Sequence, residues 1–476
     1  MGHLKQSMVT LIGRAIPAAV GLGSIAIYTR LLDPASVGAY VLLLAASLLA
    51  TSIGFAWLRN AVLRIVAGEP DCKISPNVAA TIVLAFLGTA LAIGALEAIA
   101  LVILRPGLTP LSLWLGVAAA VAIGWYDLNA TLMQAQLRLV FWGVLNLSRA
   151  VAALVGSVVC IRFGLKSDAL MIGFIVGNLA ALAFVSTWSP ALRGRFDREL
   201  FLRLVSFGWP LSVKAGLEQV APTAQRFIVN FWIGTTAVGL YSIANDFTAQ
   251  TLGSIMGSIS LAGIPLAFQA RDRGGVAALN EQLLRNARLI GVIGAPLTCG
   301  VAVLATTIAS VFFGPSFRTG AEPVIVLISV AALLGNLRVY YFDQAFELAL
   351  DTRPQPIIQA IGTVVMIALS LALIPHLAAF GAAVAFFVST IVTFGVSVWW
   401  GAKHLRVPIP TGSWLKTGLA TLGMVVVLAL IPKHGGIVEL LTLGSLGALT
   451  YIALSLLLRM GLVRAQFGQR FASSTR

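Results

Sequence analysis

Charged side chains stand inside apolar runs of this chain, where charge is costly to hold. Arg14, Glu97, Asp127, Arg149, Lys214, Glu218, Arg226, Asp246, Arg338, Asp343 and Glu347 each interrupt a mostly hydrophobic stretch. A charge kept near the centre of a bilayer costs at least about 2.5 kcal/mol and normally faces a cavity, a partner or a ligand. Basic residues lead among the deeper positions, so a site built from them suits an anion. The densest set lies at 214–226. At about 100° per residue, Lys214, Glu218 and Gln225 fall within about 40° of one another, and Arg226 sits about 120° round from Lys214. Pro222 removes a backbone donor inside this stripe and is expected to kink the helix and free a carbonyl; Pro17 has the same potential beside Arg14. A bland alternative is a buried Lys214–Glu218 ion pair that only orients the helix. Ser242, Asp246 and Gln250 follow at four-residue spacing on one face. Asn336, Tyr340, Asp343 and Glu347 make another, whose two acids are expected at a span end that water reaches.

The elements that must position these groups are membrane spans. Of 476 residues, 59% are hydrophobic and only 10% charged, and the mean hydropathy is +0.95. An ordinary soluble domain is about 25% charged. Apolar runs of about 20 residues, the length that crosses roughly 30 Å of hydrocarbon as a helix, recur from end to end. They predict an all-α polytopic membrane protein with about fourteen spans. The runs begin near Leu11, Val37, Asn77, Leu111, Val140, Ala169, Leu204, Ala237, Ala287, Glu322, Gln355, Phe380, Thr411 and Gly435. The first resembles a signal peptide, with Lys5 before it and Pro17-Ala18-Ala19 within it, but Arg14 interrupts it and the apolar stretch continues, so it is expected to be a retained span. No extramembrane domain fits in the connections that remain.

The net charge of +15 would suggest nucleic acid in a soluble protein, but its distribution assigns it to topology. With the N-terminus cytoplasmic, about 21 of the 32 Lys and Arg fall in cytoplasmic loops and tails. The clusters are Arg59, Arg64 and Lys73; Arg193, Arg195, Arg198 and Arg203; Arg271, Arg273, Arg285 and Arg288; and Arg459, Arg464, Arg470 and Arg476. They meet anionic headgroups rather than nucleic acid, and both termini are expected to be cytoplasmic. Cys72, Cys160 and Cys299 show neither disulfide nor metal-ligand spacing, and His3, His376, His404 and His434 fall in expected loops or tails. Nucleotide-loop and zinc-helix motifs are absent, so transport would be driven by an ion gradient, the substrate's own gradient or a partner.

Comparing the chain with itself gives a duplication. Val37-Gly38-Ala39-Tyr40 and Val238-Gly239-Leu240-Tyr241 are 201 residues apart, and each follows a short connection and a Pro-containing span. The same offset separates spans one to six from seven to twelve, predicting parallel six-helix bundles at 1–200 and 201–402 and two further helices at 403–476. Parallel repeats suit transporters that rock two bundles, although channels and membrane enzymes are also duplicated. Arg14 and Lys214 lie within one position of that offset. Gly173 with Gly177, and Gly253 with Gly257, are spaced for close helix packing.

The stretch from Gly13-Arg14 through Tyr28-Thr29-Arg30-Leu31-Leu32-Asp33-Pro34 to Val37-Gly38-Ala39-Tyr40, with its echo at Val238–Tyr241, resembles the O-antigen and exopolysaccharide flippases of the multidrug/oligosaccharidyl-lipid/polysaccharide exporter superfamily. The resemblance implies a polyprenyl-diphosphate-linked oligosaccharide turned across the bacterial inner membrane by alternating access, with a cationic central cavity. On that reading Arg14 and Lys214 take the diphosphate, with Arg226 and Arg149 assisting. Gln225, Asn245, Asp246 and Gln250 contact sugar, and Pro17 and Pro222 are hinges. Glu97, Asp127, Glu218 and Asp246 are the candidates for a coupling proton or sodium ion, and no other cofactor is expected. Membrane lipid and a polysaccharide polymerase complex are the expected partners. The alternatives are a peptidoglycan-precursor (lipid II) flippase, a multidrug exporter and a membrane-embedded polymerase or ligase. A multidrug exporter is expected to carry an acid deep in span one, where this chain has Arg14, and a polymerase or ligase is expected to need a large periplasmic loop.

Overall fold

Prolines and small polar residues start the helices where apolar runs begin. The computed structural model describes residues 2–68, 75–104, 109–136, 138–260 and 263–460, and no strand occurs among them. Cys72, Lys73, Arg464, Arg470 and Arg476 lie outside the described residues, as does the side chain of Arg14. The helices are α1 (Gly2–Leu31), α2 (Pro34–Gly54), α3 (Ala56–Gly68), α4 (Pro76–Leu104), α5 (Pro110–Ala135), α6 (Leu139–Arg162), α7 (Ser167–Leu179), α8 (Arg198–Ile233) and α9 (Thr235–Ser260). There follow α10 (Gly263–Val303), α11 (Ala305–Phe312), α12 (Pro315–Arg318), α13 (Ala321–Leu337), α14 (Gln344–Leu348), α15 (Pro354–His404), α16 (Thr411–Ala429) and α17 (Ile437–Leu457). A 3₁₀ stretch, Ala180–Arg193, extends α7, and a π-helical turn, Arg338–Phe342, joins α13 to α14.

The protein is an all-helical membrane protein. Among the described residues, nine helices are long and apolar enough to cross a bilayer, and shorter apolar stretches lie at Ile16–Leu31 and Ser167–Leu179. Two long helices contain breaks. Ala378 (φ 50°) divides α15, and Gly275 (φ 65°) divides α10. A left-handed φ suits glycine and strains alanine, so the turn at Ala378 carries a backbone strain that the one at Gly275 does not. Proline at the first helical position supplies a preset φ where the amide has no partner. Pro34 and Pro110 do so behind the caps Asp33 and Thr109. Ser36 donates to Asp33 through its hydroxyl at 2.6 Å and its amide at 3.2 Å. The hydroxyl bond is the main reason that this loop carboxyl is held below its ordinary range.

Packing divides the chain into two compact units, Met1–Ser242 with Ser370–Ala378, and Ile243–Leu369 with Ala379–Arg476. The expected boundary at residue 200 falls within the first unit, because α8 packs on α2 and α3. The core of the first unit gathers Phe55, Leu58, Ile82, Phe86, Leu128 and Leu204. Rings continue it from Phe86 to Trp125 at 5.3 Å and from Trp125 to Trp188 at 6.1 Å. Gly173 and Gly177 bring α7 against the backbone of α6: a Cβ at Gly177 would lie 2.6 Å from the Arg149 carbonyl. The other expected small-residue pair differs, since a Cβ at Gly253 would meet nothing within 4 Å.

The repeated motifs meet within this first unit. A Cβ on Gly38 would lie 1.9 Å from the carbonyl oxygen of Thr235, and one on Gly239 would lie 2.1 Å from that of Pro34. Gly38 and Gly239 are separated by the repeat offset of 201 residues, and so are Pro34 and Thr235. The first turns of α2 and α9 therefore touch backbone to backbone in a reciprocal, twofold-like contact.

In the second unit, α10 carries the core with Leu283, Ala287 and Ile290 against Tyr341 and Phe342. The last two helices are fixed to it by hydrogen bonds: the Trp414 indole donates to the Ala287 carbonyl at 3.1 Å, and the Tyr451 hydroxyl to that of Val292 at 2.8 Å.

Candidate functional site

On the first unit, α3, α5 and α6 bring a charged group together. Arg59 of α3 donates through Nη1 to Asp127 Oδ2 on α5 at 3.1 Å. Tyr126, the neighbour of Asp127, donates its hydroxyl to Asn146 Oδ1 on α6 at 3.0 Å. Asn146 and Arg149, three residues apart, share one face of α6. The Arg149 guanidinium lies 4.4 Å from the Tyr126 ring centroid and 5.3 Å from that of Phe174. Such cation–π contacts orient a cation without neutralising it. Among the described residues, no carboxylate lies within ion-pair distance of Arg149.

Lys214 on α8 is the second such cation. It and Glu218 are both exposed, and no ion pair joins them. The bland alternative for the 214–226 stripe, a neutralised pair, is therefore absent. Higher on α8 the arrangement changes. Gln225 is 2% exposed; it accepts from the Tyr241 hydroxyl at 2.6 Å and donates to Ser370 Oγ at 3.2 Å. Arg226 is buried as well, and Thr223 donates to the Ala45 carbonyl at 3.3 Å. The expected single stripe thus splits: its lower part faces outward, while its upper part turns into packing against α2 and α9. The helix remains continuous through Pro210 and Pro222.

A family model described as "Polysaccharide biosynthesis protein" matches residues 27–322, which hold Arg59, Asp127, Arg149 and Lys214. The chain belongs to this polysaccharide biosynthesis family. No curated protein sequence gives a significant match. Among solved structures, the chain is similar to the lipid II flippase MurJ in an inward closed conformation, with a TM-score of 0.79 at 15% identity over 96% of this chain and 100% of that one. It is also similar to an inward-facing multidrug resistance MATE family transporter of the MOP superfamily, with a TM-score of 0.62 at 14% identity over 83% and 97% of the two chains. A third is a Pyrococcus furiosus MOP superfamily transporter, reported with a binding pocket of reverse polarity, at 0.59 and 13% identity over 84% and 94%. The fold of this polysaccharide biosynthesis family member is thus that of flippases and exporters.

The other anticipated residues are dispersed. Glu97 on α4 is 5% exposed and lies 3.1 Å from the Ser47 hydroxyl, which also contacts the Leu43 and Gly116 carbonyls. No cation lies within ion-pair distance of Glu97 among the described residues. In the second unit, Asn245 donates to Asp246 Oδ1 at 3.0 Å, and Gln250 is half-buried. Asp343, expected where water reaches, is instead buried: Ser397 donates to it at 2.5 Å and Arg338 lies 3.5 Å away. The π-helical turn at Arg338–Phe342 forms there, and such turns often mark functional sites.

Sequence reasoning placed Arg59 among loop charges and missed Tyr126, Asn146 and Phe174. The i, i+3 spacing of Asn146 and Arg149 was the available signal. Replacing Gln225 with Leu removes its hydrogen bonds to Tyr241 and Ser370 in a buried site. It is expected to cost about 1–3 kcal/mol of stability, read as a lower melting temperature in detergent, while the smaller change Tyr241→Phe costs less.

Proposed function

We propose that the protein carries a polyprenyl-diphosphate-linked oligosaccharide from the cytoplasmic to the outer leaflet of the bacterial inner membrane by alternating access, with both its termini cytoplasmic. The observation that carries this reading is that two cations, Lys214 and Arg149, have no carboxylate within ion-pair distance among the described residues of a family tied to polysaccharide biosynthesis. A diphosphate cannot cross hydrocarbon alone, and fixed cations lower that barrier through charge-assisted hydrogen bonds. Lys214 and Arg149 are assigned to the diphosphate, with Arg14 and Arg226 as further cations on the route. Asn245, Asp246 and Gln250 are assigned to sugar hydroxyls; Gln225 is given a structural role, since its amide already serves Tyr241 and Ser370. A proton or sodium ion couples the cycle through one of the acids, and a polysaccharide polymerase receives the product. The chain itself performs no group transfer.

The test is leaflet transfer of a labelled polyprenyl-diphosphate oligosaccharide in proteoliposomes, with and without proton and sodium gradients. Transfer well above that in empty liposomes is expected under at least one gradient; transfer equal to empty liposomes under all of them rejects the proposal. The fold likeness to the lipid II flippase MurJ over the whole of that chain supports a second reading, lipid II as substrate. Faster transfer of lipid II than of the oligosaccharide in the same vesicles would favour it.

A further inference from the structure

A cavity of about 550 Å³ lies in the first unit between the α2–α3 junction, α4 and α8. This size is within the roughly 300–1,000 Å³ typical of ligand sites. Leu84 and Gly88 of α4, Trp57 of α3 and Trp209 of α8 are among its walls, which are mainly carbon, and Phe196 and Phe201 line the end where α8 starts. Leu84 and Trp209 are exposed at its rim, so in a membrane the cavity opens onto lipid. It is elongated along the helices. Its lining runs from Leu84 to Ile93 on α4 and from Phe201 to Ser212 on α8, about 13–17 Å at 1.5 Å per residue. That is close to half of a hydrocarbon core roughly 30 Å thick, the depth of one leaflet.

The end at the start of α8 is strongly basic. α4 and α8 start side by side: the Arg195 amide donates to Asn77 Oδ1 at 3.0 Å, and the Asp197 amide to Thr81 Oγ1 at 3.0 Å. This segment sets Phe196 between Arg195 and Arg198, and both arginines are exposed together with Arg193 and Arg203. Its acids are already engaged. Asp197 caps α8 by accepting the Glu199 and Leu200 amides, and Glu199 pairs with Arg203. Among the described residues, Arg193, Arg195 and Arg198 have no carboxylate within ion-pair distance.

An apolar slot one leaflet deep that ends at unneutralised arginines matches a phospholipid with a net negative headgroup. We propose that this groove is a resident site for an anionic phospholipid, one acyl chain lying along α4 and α8 and its phosphate meeting Arg195 and Arg198. Charge complementarity selects an anionic over a zwitterionic lipid. The test of this site needs no transport.

Binding of phosphatidylglycerol and phosphatidylcholine to the full-length protein in detergent is to be measured by native mass spectrometry, with melting temperature as a second readout. Phosphatidylglycerol is expected to bind more tightly and to raise the melting temperature more. The pair Arg195→Gln/Arg198→Gln should weaken phosphatidylglycerol about thirtyfold and leave phosphatidylcholine nearly unchanged. Gly88→Leu should exclude both lipids. A Cβ at Gly88 meets nothing within 4 Å, so the variant is expected to fold, and Gly418→Leu, at an equally open glycine of α16, is the control. Equal affinity for the two lipids, or undiminished phosphatidylglycerol binding in both variants, overturns the proposal. Stoichiometric displacement of phosphatidylglycerol by polyprenyl phosphate also overturns it, and gives the groove to an isoprenoid chain instead.

Discussion

Lys214→Glu is expected to abolish polysaccharide export while folded protein still accumulates in the membrane. Lys214 is exposed on α8 and has no carboxylate within ion-pair distance among the described residues, so its removal strands no buried partner and little stability is at stake. What is lost is its interaction with an anionic substrate. A hydrogen bond to a charged group is worth about 1.5–3 kcal/mol, so Lys214→Ala should slow transfer about ten- to a hundredfold. Glutamate adds repulsion, and it places a second acid four residues before Glu218 on the same face. Export in a deletion strain complemented with each variant, together with membrane levels and melting temperature, separates a transport defect from a folding defect. Normal export by Lys214→Glu would remove this residue from the site.

The second large effect is expected at the repeated glycines. At Gly38→Ala the new methyl group would stand 1.9 Å from a backbone carbonyl, and a backbone oxygen in the first turn of α9 cannot swing aside as a flexible side chain can. Van der Waals contact requires a separation of about 3.5 Å, so the helix starts must part by more than an ångström. Overpacking of this kind costs about 1–3 kcal/mol, which lowers the population of the conformation that holds the contact about five- to a hundredfold. Gly239→Ala should behave alike, because the contact is reciprocal. The double variant should cost less than the sum of the two, since one separation of the helices relieves both clashes. Gly23→Ala, where a Cβ meets nothing within 4 Å, should be close to neutral. An additive double variant, or wild-type transfer and melting in both single variants, would show that the contact carries no energy that matters.

Helix positions were largely legible because they depend on local properties. Apolar length and proline set them: spans expected near Asn77, Leu111, Val140 and Ala169 begin at Pro76, Pro110, Leu139 and Ser167. The motif echo at Gly38 and Gly239 was legible as a repeat, but its meaning as a contact required coordinates. Arg59 was hidden because a charge in an apolar window reads as the end of a span, whereas α3 continues past it and sets it on Asp127. The inward turn of Gln225 was also hidden, since helical periodicity places residues on faces without saying which neighbour covers each face. Tyr126 and Phe174 were hidden because nothing in their sequence positions says that the Arg149 guanidinium lies over both rings.

Ser370–Ala378 belongs to the first unit although it lies deep in the second half of the chain. Gln225, buried within that unit, depends on Ser370 for one of its hydrogen bonds. Chains generally acquire structure from the N-terminus as they are made, but here the N-terminal unit stays incomplete until residue 378 of 476 has been synthesised. Most of the helices must therefore be inserted before the first unit can close. A ribosome stalled near residue 250 would leave an unfinished unit in the membrane, and a cut at the sequence midpoint would part Ser370–Ala378 from the unit in which it packs.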